Sequence, residues 1–140
     1  MPTEENKALA CRHLEENWNS GNLASVEEIF ATDCIFHFAN GGMACGIEEL
    51  RRGIAGFRTG FPDTRITIED IFAEGNKVVI HFTGHATHTG ETTIAPHLPP
   101  TGKPVRWLGI EIHHIKDGKI VESWRHWDRL GLLQQLEANS

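Results

Sequence analysis

The chain of 140 residues contains no tyrosine and only three cysteines, Cys11, Cys34 and Cys45. Without tyrosine, a mechanism that uses a phenolic hydroxyl as its oxyanion donor is excluded. The odd number of cysteines and the lack of a Cys-x-x-Cys pair argue against a disulfide framework. Both observations agree with a reducing compartment, and we therefore expect a cytoplasmic protein.

Long apolar runs and cofactor motifs are missing as well. No window is long and apolar enough to span a bilayer, and the first residues lack the apolar core of a signal peptide. There is no G-x-G-x-x-G, no P-loop and no G-x-S-x-G, so nucleotide cofactors and serine esterase chemistry have no support. The net charge of −6 argues against nucleic acid or an anionic membrane as partner.

What the sequence does contain is the composition of one ordinary globular domain, which we assign to residues 1–140. Hydrophobic residues make up 39% of the chain and charged residues 23%, values typical of such domains. A chain of this length can bury a core of its own. We find no internal repeat, low-complexity run or linker that would divide it.

Hydrophobic periodicity predicts helices first and strands afterwards. Apolar residues at helical spacing indicate a helix over residues 4–18, a short one over 23–30 and a third over 47–57. Alternating segments indicate strands over residues 33–38, 65–75, 77–88, 103–115 and 119–127, with a terminal helix after them. A sheet with one apolar face must wrap around the helices. We therefore predict an α+β cone, with the N-terminal helices packed in a strongly curved antiparallel sheet around a pocket.

Asp128 lies where the last strand gives way to the terminal helix. As a helix N-cap, its side chain would accept a backbone N–H and contribute about 1 kcal/mol. This role competes with catalysis, because a carboxylate held by amide donors has a lowered pKa and is a poor base. If Asp128 faces the pocket, strand parity puts Trp124 and His126 beside it and turns Trp127 outward, toward a dimer interface.

Parity also sorts the preceding strand, where Trp107, Glu111 and His113 share one face. This face is the more polar of the two, so we assign it to the pocket and choose His113 over His114. A hydrogen-bonded structural histidine is the alternative for His113. His37 is either a donor or proton relay in the cavity or a buried structural residue.

The nine histidines raise the question of a metal site. His81 and His85 lie four apart on one strand face, and His88 follows at the strand end. A catalytic metal site needs about three protein ligands, and no H-E-x-x-H motif or cysteine pair supports one. We expect no metal, a solvated strand face, and a loop held in place by His88.

Five segments, in their order and spacing, resemble the SnoaL-like polyketide cyclase family of the NTF2-like superfamily. They are "FPDTRITIEDIFAEGNKVV", "HTGE", "PPTGK", "GIEIHHIKDGKIVESW" and "WDRLGLLQQL". The resemblance implies a cone-shaped α+β fold and intramolecular aldol closure of a ring in a polyketide-derived ester. It also implies acid–base chemistry without metal or cofactor, and a catalytic aspartate at position 128.

Together these observations predict a cofactor-independent acid–base enzyme that acts on a small apolar carbonyl compound. Asp128 would remove an α-proton, and His37 or His113 would stabilise or protonate the developing oxyanion. The expected pocket is lined by Trp124, His126, Trp107, Glu111 and Phe57. The alternatives are a dehydratase, isomerase or epoxide hydrolase on the same fold, or a module that only binds a small apolar ligand. We also expect a homodimer formed through the sheet.

Overall fold

The computed structural model describes residues 3–138, which form four α-helices and six β-strands. The helices are α1 (Thr3–Arg12), α2 (Val26–Ile29), α3 (Ile47–Gly60) and α4 (Arg129–Glu137), and a π-helical segment (His13–Asn19) follows α1 directly. The strands are β1 (Phe30–Phe38), β2 (Met43–Cys45), β3 (Arg65–Glu74), β4 (Lys77–Thr87), β5 (Pro104–Lys116) and β6 (Lys119–Trp127).

The strands form one curved sheet in the order β2-β1-β6-β5-β4-β3, with the helices packed against one face. We call this face the inner face. The predicted α+β architecture is therefore confirmed. The β1–β2, β3–β4, β4–β5 and β5–β6 pairs are antiparallel, as expected, whereas β1 and β6 pair in parallel. No hairpin joins β1 to β6, so the turn chemistry that predicts antiparallel neighbours does not apply to them.

Local sequence explains most of the elements. In α3, Leu50 and Ile54 lie four residues apart and are both buried, as expected for an amphipathic helix. The Asp-Gly dipeptide between β5 and β6 makes the predicted tight turn, with positive φ at Asp117 and Gly118. Strand β2 is absent from the sequence prediction, because three residues are too few to show an alternating pattern. None of the helices within residues 3–138 is long and apolar enough to cross a membrane.

Two glycines of the sheet make room for aromatic side chains on the inner face. Gly84 is the cross-strand partner of Trp107, and a Cβ at position 84 would overlap the indole. A Cβ at Gly109 would overlap the ring of Phe82 in the same way. The absence of a side chain at these two positions therefore lets the large rings lie flat against the sheet.

Replacing Gly84 with alanine is expected to destabilise the protein. The new Cβ must push Trp107 out of its place, and overpacking of this kind costs about 1–3 kcal/mol. Chemical denaturation of wild type and variant measures the difference. Gly56→Ala in α3 is the matched control, since its Cβ would have nothing within 4 Å and alanine favours a helix by about 1 kcal/mol. Equal stability of the two variants would show that the indole has room to move.

Candidate functional site

A cavity of about 220 Å³ lies between the helices and the inner face of the sheet. Its wall is mainly aromatic and aliphatic. Among the described residues, Glu111 and Arg125 are the only charged side chains that line it. The aromatic part of the wall includes Trp18, Phe36, Phe57, Phe82, Trp107 and Trp127. An apolar chamber with a few converging polar groups is the usual form of a small-molecule site.

The two charged side chains meet because their strands are neighbours. Glu111 on β5 is the direct cross-strand partner of Arg125 on β6, and directly opposite residues point to the same face. Arg125 Nη1 donates to Glu111 Oε2 at 3.4 Å. The side chains of Phe30 and Phe36 lie against the guanidinium, with ring centroids 5.8 and 5.1 Å from its carbon. Such contacts stabilise a cation that is removed from water.

A second hydrogen bond fixes Glu111 from behind. His113 Nε2 donates to Glu111 Oε1 at 2.9 Å, and the hydroxyl of Ser123 donates to His113 Nδ1 at 3.0 Å. The carboxylate can only accept, so we assign the ring proton of His113 to Nε2. All three side chains are buried. The result is a linear series of buried hydrogen bonds, from Ser123 through His113 to Glu111, that holds the carboxylate in one orientation.

The charges around Glu111 decide its protonation. Burial alone would raise the pKa of its carboxyl group, but the charge of Arg125 and the hydrogen bond from His113 outweigh that effect. The pKa is therefore held well below its usual range, and Glu111 is ionised at neutral pH. The cavity thus contains a permanent ion pair in an otherwise apolar wall.

Comparison with known proteins identifies the family. The model of the SnoaL-like polyketide cyclase family matches residues 8–136. The chain belongs to this family. Its fold is NTF2-like, as the sequence predicts. No curated protein matches the chain significantly.

Solved structures agree with the family assignment. AclR of Streptomyces galilaeus, a candidate hydroxylase, is 28% identical with a TM-score of 0.84, over 95% of this chain and 81% of AclR. IdmH of Streptomyces antibioticus, a candidate polyketide cyclase, is 27% identical with a TM-score of 0.83, over 95% of this chain and 99% of IdmH. A candidate SnoaL-like polyketide cyclase of Jannaschia sp. CCS1 has a TM-score of 0.87 at 22% identity, over 98% and 94% of the two chains, and shares the fold.

In this SnoaL-like protein the structure corrects the expected orientation of Asp128. The side chain is exposed, and its Oδ1 accepts a hydrogen bond from the backbone N–H of Gly131 at 2.8 Å. Asp128 is therefore the N-cap of α4, the alternative that its position in the sequence allows. It borders an open groove on the outer face of the sheet, together with His81, Leu108 and His126.

The rest of β6 is reversed in the same way. Trp124 and His126 lie on the outer face and do not line the cavity, whereas Trp127 does. The cause is a bulge in the β5–β6 hairpin. Ile115 pairs with Ile120 but His114 pairs with Glu122, so Val121 is an extra residue. One extra residue in a strand turns every later side chain to the other face.

The structure separates the remaining candidate residues. Phe57, Trp107 and Glu111 line the cavity. His113 is on the inner face, as chosen over His114, but stands behind Glu111 and does not border the cavity. His37 is on the outer face, where Nε2 contacts Glu122 Oε2 at 2.6 Å. Its ring stacks on Trp124 at 5.0 Å between centroids.

Arg125 lines the cavity, although the sequence did not identify it as a candidate. Its charge sets the pKa of Glu111 and contributes to that of His13. The signal that identifies it is the pairing register of β5 and β6, and the bulge at Val121 conceals that register in the sequence. If the register of the Ile115–Ile120 pair simply continued along the strands, Glu111 would pair with Trp124.

Two other histidines contact the loop before β5 or lie in it. His88 Nδ1 accepts the backbone N–H of Thr101 at 3.1 Å, so His88 holds the loop before β5, as expected. His97, in the same loop, contacts Glu137 of α4 at 2.9 Å. Within residues 3–138, no three His, Cys, Asp or Glu side chains are grouped so that they could hold a metal ion.

His13 lies in the buried cluster beside the ion pair. Its Nδ1 donates to Asn17 Oδ1 at 2.7 Å, and its ring meets that of His113 edge-on at 5.9 Å. Burial, followed by the charge of Arg125, lowers the pKa of His13 to about 3. The folded protein therefore keeps His13 neutral at a pH where the unfolded chain protonates it.

The pH dependence of stability is expected to reveal His13. An unfolded histidine titrates near pH 6.5, so between that pH and about 3 the unfolded state binds the extra proton. The free energy of unfolding should then decrease as the pH is lowered, by up to about 1.4 kcal/mol per pH unit from this residue. Glu111, whose pKa is lowered in the folded protein, adds to the loss only once the pH falls into the usual range of a glutamate.

Denaturation of wild type and His13→Gln from pH 7 to pH 5 measures this contribution. The variant should show the shallower decline, whatever its stability at pH 7. His85→Gln, at an exposed position on the outer face, is the matched control and should follow wild type. Parallel wild-type and His13→Gln curves would contradict the interpretation.

Proposed function

We propose that the protein is a cofactor-independent acid–base enzyme that acts on a small apolar carbonyl compound held in the cavity. The observation that supports it most is the Glu111–Arg125 pair in an apolar wall. Family membership supports the same class of chemistry, with intramolecular aldol ring closure as the specific reaction. In this proposal the carboxylate is the base, and the guanidinium stabilises the oxyanion.

The first step is removal of a proton from the carbon next to the substrate carbonyl. The C–H bond breaks, an O–H bond forms on Glu111, and the electron pair moves to the carbonyl oxygen as an enolate. The Arg125 guanidinium, in the same wall, stabilises that oxygen. Because the negative charge passes from Glu111 to the ligand, the net charge of the buried site does not change.

The basicity of Glu111 has to rise for this step to be fast. A carboxylate whose pKa is held low by a neighbouring cation is a weak base. As the guanidinium turns to the developing oxyanion, it withdraws from Glu111, and the charge that lowers the pKa of Glu111 weakens. Proton transfer and charge stabilisation are then coupled through one side chain.

Ring closure follows within the same bound molecule. The enolate carbon forms a bond to a second carbonyl carbon, and the resulting alkoxide takes the proton back from Glu111. The aromatic walls contributed by Phe57, Trp107 and Trp127 restrict the folded shapes that the substrate can adopt. Holding two reacting carbons close together supplies much of the rate of an intramolecular reaction.

Exchange of α-protons in D₂O tests the first step without knowledge of the product. Wild-type protein should speed exchange in aryl ketones and polyketide esters, followed by NMR. Glu111→Gln should slow exchange by about a hundredfold or more, the usual contribution of a general base. Glu111→Asp keeps the charge of the ion pair and should retain part of the activity. Circular dichroism verifies that each variant is folded.

Two further variants complete the comparison. Asp128→Asn tests the residue to which the family resemblance assigns catalysis, and we expect its exchange rate to stay within about twofold of wild type, since asparagine also caps helices well. Glu48→Gln, on the exposed surface of α3, is the control for loss of a carboxylate. Exchange lost in Asp128→Asn but kept in Glu111→Gln would transfer the role of base to Asp128.

A binding module without catalysis is the second candidate function. The low pKa of Glu111 favours it, since a permanently ionised carboxylate is suited to holding a ligand rather than removing its proton. Saturable binding of the same ketones with no exchange above the uncatalysed rate would select this function.

We also propose that two copies pair through the outer face of the sheet. Leu108 and Ile110 on β5 are 47% and 46% exposed there, although they belong to the apolar face of that strand. A self-complementary apolar patch is the usual basis of a twofold dimer.

Light scattering after size-exclusion chromatography tests the dimer. Wild type should have twice the chain mass, and Leu108→Glu should have the chain mass at equal concentration. Leu130→Glu is the matched control, because Leu130 is 63% exposed and lies in α4 rather than in the sheet. A monomeric wild type would refute the proposal.

A further inference from the structure

The guanidinium of Arg125 has fewer hydrogen bonds than its burial requires. Its relative exposure is 8%, and its one hydrogen bond, to Glu111, is long at 3.4 Å. Among the described residues, Nε and Nη2 have no hydrogen-bond partner. Buried donors are nearly always paired, and an unpaired one calls for an explanation such as a ligand.

The two unpaired nitrogens define the shape of the missing partner. Glu111 occupies Nη1, which leaves the edge formed by Nε and Nη2. The N–H bonds on that edge are parallel and lie in the plane of the guanidinium. This is the fork that binds both oxygens of a planar anion. A single carbonyl oxygen would satisfy only one of the two donors.

The position of the side chain indicates where such a partner would come from. Arg125 lines the cavity, and the rings of Phe30 and Phe36 lie against its guanidinium. Nε and Nη2 are themselves closed to water, so the guanidinium has to turn toward the cavity to reach a ligand. Its hydrogen bond to Glu111 is long and therefore weak, so the bond does little to oppose this rotation.

We propose that Arg125 binds a ligand group whose negative charge is shared by two oxygens in one plane, either a carboxylate or the enolate of a 1,3-dicarbonyl. The ligand enters as the neutral acid, and its proton passes to Glu111: an O–H or C–H bond breaks and an O–H bond forms on the carboxylate. The net charge of the ion pair and the ligand taken together stays zero. The inference rests on the proposed function for its site, but it requires binding only and no turnover.

Calorimetric titration with two matched pairs of compounds tests this site. The first pair is naphthoic acid and its methyl ester, and the second is benzoylacetone and benzylacetone, which lacks the second carbonyl. In at least one pair, wild type should bind naphthoic acid or benzoylacetone about tenfold to a hundredfold more tightly than its partner compound, as a hydrogen bond to a charged group allows. These are the two compounds that can share a negative charge between two oxygens. A preference in the first pair identifies a carboxylate, and a preference in the second identifies an enolate.

Two variants assign the preference to the fork. Arg125→Lys keeps the charge and loses the parallel donors, so the preference should become smaller. The double variant Glu111→Gln/Arg125→Met removes the whole ion pair, which proteins tolerate better than loss of one partner, and should abolish the preference. Binding of the methyl ester and of benzylacetone to the same variants gives the reference affinity against which the preference is measured.

The outcomes separate this site from the proposed function. No preference in wild type, or a preference that persists in Arg125→Lys and in the double variant, overturns the assignment. A preference that depends on Arg125, without α-proton exchange, supports the anion site and rejects the enzyme. Exchange that depends on Glu111, without any preference, supports the enzyme and rejects the anion site.

Discussion

The ion pair between Glu111 and Arg125 is the interaction on which the electrostatics of this cavity depend. Two charges in an apolar wall are costly to remove from water, and the protein reduces that cost with a hydrogen bond from His113 and with aromatic rings against the guanidinium. Each charge stabilises the other in the buried site. Loss of one would leave a buried charge alone, which costs about 3–5 kcal/mol.

The two side chains of the pair differ in how tightly they are held. Glu111 is held firmly, by His113 on one oxygen and Arg125 on the other. Arg125 is held loosely, with one long hydrogen bond and packing against rings. A rigid carboxylate beside an adaptable guanidinium suits a site in which charge moves to a ligand. In the proposed reaction, Glu111 keeps its position and Arg125 moves toward the developing negative charge.

The pairing register of β5 and β6 decides that these two side chains meet. Val121 is the extra residue in the hairpin between β5 and β6, and it reverses the faces of the strand that follows it. Arg125 and Trp127 are thereby directed into the cavity, and Trp124, His126 and Asp128 to the outer face. Alternate residues at the end of β6 therefore line the inner cavity and the outer groove. The position of the bulge determines which residues lie on which face.

The sequence by itself determines the α+β class, the helix through Leu50 and Ile54, the Asp-Gly turn, and the inner face of β5 with Trp107 and Glu111. These follow from periodicity and turn chemistry, which act between near neighbours in the chain. The parallel pairing of β1 with β6, the bulge at Val121 and the role of Asp128 as a cap are decided by the tertiary structure. Register and strand order depend on contacts between distant segments, and the local pattern of β6 is equally compatible with either face.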